Sequence, residues 1–85
     1  MASYKVLLKR SAAKELEELP LKDGQRVVRQ IQGLASEPRP ESCEKLSGRE
    51  KFRLRQGNLR ILYSVDDPGA EVTVVKIDHR RDVYR

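Results

Sequence analysis

The segment Glu37-Pro38-Arg39-Pro40-Glu41-Ser42 divides the chain into two regimes of hydrophobic periodicity. Each proline removes a backbone donor and restricts the residue before it, so no helix runs through this stretch and it reads as a connecting loop. Before it, from about Leu21 to Ser36, Val27, Val28, Ile31, Leu34 and Ala35 recur at three-and-four spacing. That spacing predicts an amphipathic helix, with Gly24 weakening its first turns. After the loop, from Lys51, the period becomes two. Phe52 and Leu54 alternate with Lys51, Arg53 and Arg55, and Gln56-Gly57-Asn58 turns the chain into a strand over Leu59 to Val65. Asp66-Asp67-Pro68-Gly69 signals a second turn, leading into the β-branched run from Val72 to Ile77.

At the front, Tyr4 to Lys9 is β-prone, and Ser11 is the expected N-cap of a short helix through Leu19 with Ala12, Leu16 and Leu19 on one face. Pro20 punctuates that helix. Strand, two helices and three strands, without internal repeats, predict an α+β fold: a small two-layer domain in which a helical hairpin covers one face of a largely antiparallel sheet. Four strands are expected, one N-terminal and three in an antiparallel meander. With 85 residues, residues 1–85 form a single domain, because smaller pieces could not bury a core.

The core must be aliphatic, since the chain has no Trp and one Phe, and its stability is expected to be modest until a partner adds burial. Eighteen Lys and Arg against 13 Asp and Glu give a formal charge of +5, which favours an anionic partner. The single cysteine, Cys43, supports neither an internal disulfide nor a zinc site, so no metal or cofactor is expected and a reducing cytoplasm fits. The N-terminal apolar run Val6-Leu7-Leu8 is too short for a signal or a membrane span, and no membrane association is expected.

Period-two geometry sends Lys51, Arg53 and Arg55 to one face of the sheet and Phe52 and Leu54 to the other. Alone, such a row reads as a solvated strand face. Arg60, however, lies just across the short turn, and His79, Arg80, Arg81 and Tyr84 cluster at the end of the next strand, so the cations can converge on one groove. Metal-free RNA cleavage needs a base for the 2′-hydroxyl, cations around the phosphorane and an acid for the departing 5′-oxygen. Arginines suit the second role, because they stay protonated and present a planar fork to phosphate. His79 titrates nearest neutrality and can move a proton, although a lone histidine at a strand end is equally well structural. Tyr84 can stack on a base or orient the 2′-hydroxyl, or simply close the edge of the core. Lys51 serves as a base only where neighbouring cations lower its pKa, and otherwise attracts phosphate. The carboxylates carry no comparable pattern: Asp66-Asp67 suits turn chemistry, and Glu44 falls in the expected loop.

Three segments resemble the RelE toxin family: Lys45-Leu46-Ser47-Gly48, Phe52 through Tyr63, and Asp78-His79-Arg80-Arg81-Asp82-Val83-Tyr84-Arg85. Tyr4-Lys5-Val6, Ala12-Ala13-Lys14 and Leu19-Pro20 extend the likeness to essentially the whole chain. The resemblance implies the toxin of a type II toxin-antitoxin system with a microbial-RNase-like fold. Such a toxin is a metal-independent endoribonuclease that enters the ribosomal A site beside rRNA, cuts mRNA by 2′-hydroxyl attack and so inhibits translation. It implies catalytic roles for Lys51, Arg53, Arg60, His79, Arg80 and Tyr84, and RNA or phosphate binding for Lys45, Arg55 and Arg81. Arg53 stands where members of the family often carry lysine, so a lysine base is not carried over to that position, and His79 is a candidate to share that role. The implied partners are the ribosome, mRNA and a cognate antitoxin in a hetero-oligomer that masks the cationic face. The alternatives are a ParE-like gyrase inhibitor of the same fold and a noncatalytic RNA-binding domain.

Overall fold

The computed structural model describes residues 3–46 and 50–79, the last by its backbone alone. Its elements are β1 (Lys5–Leu8), α1 (Arg10–Glu17), α2 (Leu21–Gly33), β2 (Glu44–Lys45), β3 (Lys51–Gln56), β4 (Leu59–Asp66) and β5 (Glu71–His79). One mixed sheet runs in the order β1-β5-β4-β3-β2. β1 lies parallel to β5, with Lys5 opposite Glu71 and Leu8 opposite Val74, and every other pair is antiparallel. The expected two-layer α+β architecture is present, with five strands instead of four. The extra strand, β2, pairs Glu44 with Arg53 and Lys45 with Phe52. Two exposed residues are too few to show a period, so this stretch had read as loop.

The helix ends differ from the sequence expectation for local reasons. α1 starts at Arg10 with Lys9 as an extended N-cap that makes no side-chain cap bond, so Ser11 lies inside the helix. α2 stops at Gly33. From there Leu34 N–H donates to Ile31 O, Ala35 N–H to Gln32 O and Ser36 N–H to Gly33 O, a run of three-residue turns that tightens the exit. Both predicted hairpins form. Gly57 takes φ +61 at the first of two loop positions, the pattern of a type II′ turn that matches strand twist. In the β4–β5 loop the left-handed residue is Ala70, φ +52, one position beyond the predicted turn glycine.

Alternation in the strands puts Phe52, Leu54, Leu59, Ile61, Tyr63, Val65, Val72, Val74 and Ile77 on one face, where they pack against Ala12, Val27, Ile31 and Leu34 of the helical layer. Val28, expected in the core stripe, remains 37% exposed. Phe52 and Tyr63 are cross-strand partners with ring centroids 5.7 Å apart, and the Tyr63 hydroxyl donates to the Pro38 carbonyl at 2.8 Å. This bond ties the proline loop to the sheet. The same loop sends Arg39 over the Phe52 ring and into ion pairs with Glu50 and Asp67, while the Tyr4 hydroxyl donates to Asp67. Among the described residues, no helix is long and apolar enough to cross a membrane.

Candidate functional site: a cationic sheet face

The strand alternation that buries the core aims the intervening residues away from the helices. On β3 these are Lys51, Arg53 and Arg55, and on β4 they are Arg60, Leu62 and Ser64. The hairpin register sets Arg55 directly opposite Arg60, Arg53 opposite Leu62 and Lys51 opposite Ser64. Lys51 to Arg55 spans about 13 Å along the strand. Four of the cations singled out in the sequence therefore share one open face.

Like charges set directly across an antiparallel pair repel, and two carboxylates offset that cost. Glu44 Oε1 accepts from Arg53 Nε at 3.0 Å and lies 2.9 Å from its Nη2, with Arg55 Nε 3.6 Å away. Asp78 Oδ2 accepts from Arg60 Nη2 at 2.7 Å. The Arg60–Asp78 pair is the more enclosed, with side chains 23% and 28% exposed, and Arg60 Nε is buried without a partner among the described residues. Lys51 has no ion pair among the described residues.

Sequence reasoning missed both carboxylates. Glu44 had been assigned to a loop, although residues at the pairing distance from Arg53 could have been searched for an acid. Asp78 pairs with Arg60 through β4–β5 register, which no local pattern records.

The other nominated residues are placed differently. Lys45 lies opposite Phe52, on the helix-facing side of the sheet, with its Nζ 3.8 Å from Glu50 Oε2, so it is not part of the Lys51–Arg60 face. His79 closes β5 with its backbone opposite Leu59, next to Asp78. Arg80, Arg81 and Tyr84 lie outside the described residues. An open groove of about 610 Å³ between α1 and α2, floored by Leu16, Leu19, Leu21 and Val28, belongs to the helical layer, so the sheet separates it from the cations.

This geometry can hold a polyanion along β3 and concentrate positive charge at Arg55 and Arg60, where a phosphoryl group gaining charge would be stabilised.

Comparison with known proteins agrees with this architecture. Residues 6–84 match the family model described as ParE toxin of type II toxin-antitoxin system, parDE. Toxin RelG of Mycobacterium tuberculosis is 44% identical over 34 residues, a stretch covering 40% of this chain and 39% of RelG. The toxin-antitoxin complex RelBE2 of the same organism contains a chain 30% identical with TM-score 0.80, the match covering 92% of this chain and 99% of that one. The archaeal RelE-RelB complex of Pyrococcus horikoshii OT3 gives 27% identity and TM-score 0.84, with 92% and 96% coverage. Isolated E. coli RelE shares the fold, with TM-score 0.81 at 23% identity and coverage of 96% and 92%. A match over nearly the whole sequence, together with RelE toxins among the similar folds, assigns the chain to the ParE toxin family of type II toxin-antitoxin systems, within the RelE/ParE superfamily.

Proposed function

We propose that this toxin is a ribosome-dependent mRNA endoribonuclease. The observation that carries the reading is the row Lys51, Arg53, Arg55 and Arg60 on a single face turned away from the core. In this reaction the 2′-oxygen attacks the adjacent phosphorus, the bond to the 5′-oxygen breaks, and a 2′,3′-cyclic phosphate and a 5′-hydroxyl result. The 2′-hydroxyl proton passes to a base and the departing 5′-oxygen takes a proton from an acid, so the step needs no water and no metal. Arg55 and Arg60 are suited to the phosphorane charge, and Arg53 to holding the neighbouring phosphate. Lys51 and His79 are the proton carriers proposed within the described residues, and the resemblance to RelE toxins adds Arg80 near the leaving group and the C-terminal Tyr84. Lys45 and Arg81 would serve only as peripheral phosphate contacts. Action on ribosomes places the protein in the cytoplasm, and the likeness to RelE toxins solved with their antitoxins supports a cognate antitoxin as partner.

Primer extension on a defined message, in a purified translation system with and without ribosomes, tests the reading. Cuts phased to codons that require ribosomes and disappear in Arg60→Ala are expected. An intact message would overturn the nuclease assignment. The ParE family match favours one second reading, inhibition of DNA gyrase, and a supercoiling assay on the same preparation would detect it.

A further inference from the structure

The residue that faces Arg60 is decided by a bulge in β5. From Asp66 opposite Glu71 to Tyr63 opposite Val74 the strands keep one register; from Leu62 opposite Lys76 to Leu59 opposite His79 they keep another, and Val75 is left over. Without that extra residue, the first register would set Ile77 against Arg60 and turn its side chain out of the core. With it, Ile77 is buried and Asp78 comes across from Arg60 on the cationic face. Bulges serve to re-aim side chains in this way. The helical layer holds the shifted register. Glu15 Oε1 accepts from Ile77 N–H at 2.8 Å and Glu15 Oε2 lies 3.0 Å from Lys76 Nζ, beyond the point where the pairing of β1 with β5 ends.

Building on the RNA-cleaving reading above, we propose that Asp78 is a positioning residue for Arg60, holding its guanidinium in the orientation that meets an RNA phosphate. Arg60 has a like charge, Arg55, on one side and Asp78 on the other. Its Nε is buried and unpartnered, so the bond to Asp78 is the side-chain anchor seen among the described residues. Removing that anchor leaves the repulsion from Arg55 and the unpaired Nε, and both drive the guanidinium out toward water.

The sign of one substitution separates positioning from simple charge balance. Asp78→Asn keeps the shape and deletes a negative charge. If Asp78 only offsets charge, the face becomes more positive and RNA binds more tightly, with a steeper salt dependence. If Asp78 positions Arg60, the variant binds a short fluorescein-labelled single-stranded RNA about tenfold more weakly, the effect of one lost charge-assisted contact. Its plot of log K against log salt then flattens by about 0.7, one phosphate contact on a single strand. In the Arg60→Ala background the same substitution should produce no further weakening, and Asp78→Glu should recover part of the slope. A general loss of folding would instead weaken binding in both backgrounds, which overturns the proposal. Tighter binding by Asp78→Asn overturns it while leaving the RNA-binding reading intact, whereas wild-type protein that binds no RNA in this assay overturns the proposal alone, since the proposed cleavage requires ribosomes and is tested by primer extension.

Discussion

Glu44 predicts a change of opposite sign to that at Asp78. Its carboxylate shares one oxygen between Arg53, at 2.9 Å, and Arg55, at 3.6 Å, on an open edge where the three side chains are 51%, 26% and 53% exposed. A phosphate arriving at these arginines must displace that oxygen. Exposed pairs of this kind are worth about 0.2–1 kcal/mol, and the 3.6 Å contact is too long to be a good hydrogen bond. Relieving the competition with Glu44→Gln should therefore contribute about 1 kcal/mol to RNA binding, or roughly fivefold. Glutamine retains the length of the side chain and the two-residue strand, so the arginines remain in register.

Fluorescence anisotropy with a short labelled single-stranded RNA measures this directly. The gain should be largest at low salt and shrink as salt rises, because both the lost pairs and the new contacts are screened. Unchanged or weaker binding by Glu44→Gln would refute the reasoning: the carboxylate would then be organising the arginines rather than competing for them.

Three further outcomes follow from the packing. Tyr63→Phe removes the bond to the Pro38 carbonyl and should cost about 1 kcal/mol, a fall of about 4–8 °C in Tm by calorimetry. Burial pushes the Tyr63 phenol well above its ordinary value, with Cys43 adding to the shift, so the fold favours the neutral form. That stabilisation is complete below about pH 10 and is lost as the pH climbs toward the folded value, and alkaline titration should destabilise the wild type more than Tyr63→Phe. Arg39 and then Tyr4 hold Asp67 below the usual carboxylate range, so this contribution is present at neutral pH and lost on acidification through the lowered value. Arg39→Ala should be less stable than wild type at neutral pH, and the gap in urea midpoint should narrow in acid to what the stacking of Arg39 on Phe52 contributes. Ala70→Gly relieves a left-handed alanine and should raise stability by up to about 1 kcal/mol in the same urea assay, since the relief outweighs the extra freedom glycine gives the unfolded chain.

The sequence revealed what periodicity can encode. The change from three-and-four spacing to alternation at Lys51 gave the layers, the two hairpins and the shared face of Lys51, Arg53 and Arg55, while the short turn at Gly57 brought Arg60 alongside. Contacts between elements were not legible. β2 is too short for a period, the left-handed residue follows the turn glycine instead of coinciding with it, and Val28 sits at the rim of its helical stripe. The bulge at Val75 was not read from the sequence either, because Val74-Val75 interrupts the apolar-polar alternation of Val72-Thr73-Val74 and Val75-Lys76-Ile77 by one residue inside a single β-prone run. Asp78 consequently looked like one scattered acid among several.

That hidden bulge also links the two layers. Along β4, Ile61 and Tyr63 face the helices while Arg60 and Leu62 face outward, so substitutions on the two sides should separate stability from RNA binding. β5 obeys the same alternation only if Val75 is accommodated, and the carboxylate that holds the shifted strand belongs to Glu15, on a helix behind the sheet. A Glu15 substitution touches none of Lys51, Arg53, Arg55 and Arg60, yet it releases Ile77 N–H and Lys76, the residue opposite Leu62, and loosens the strand that carries Asp78. The part of the effect that reaches Arg60 runs through one strand pairing, Arg60 opposite Asp78, so RNA binding should respond to a Glu15 substitution more strongly when Asp78 is present than in Asp78→Asn.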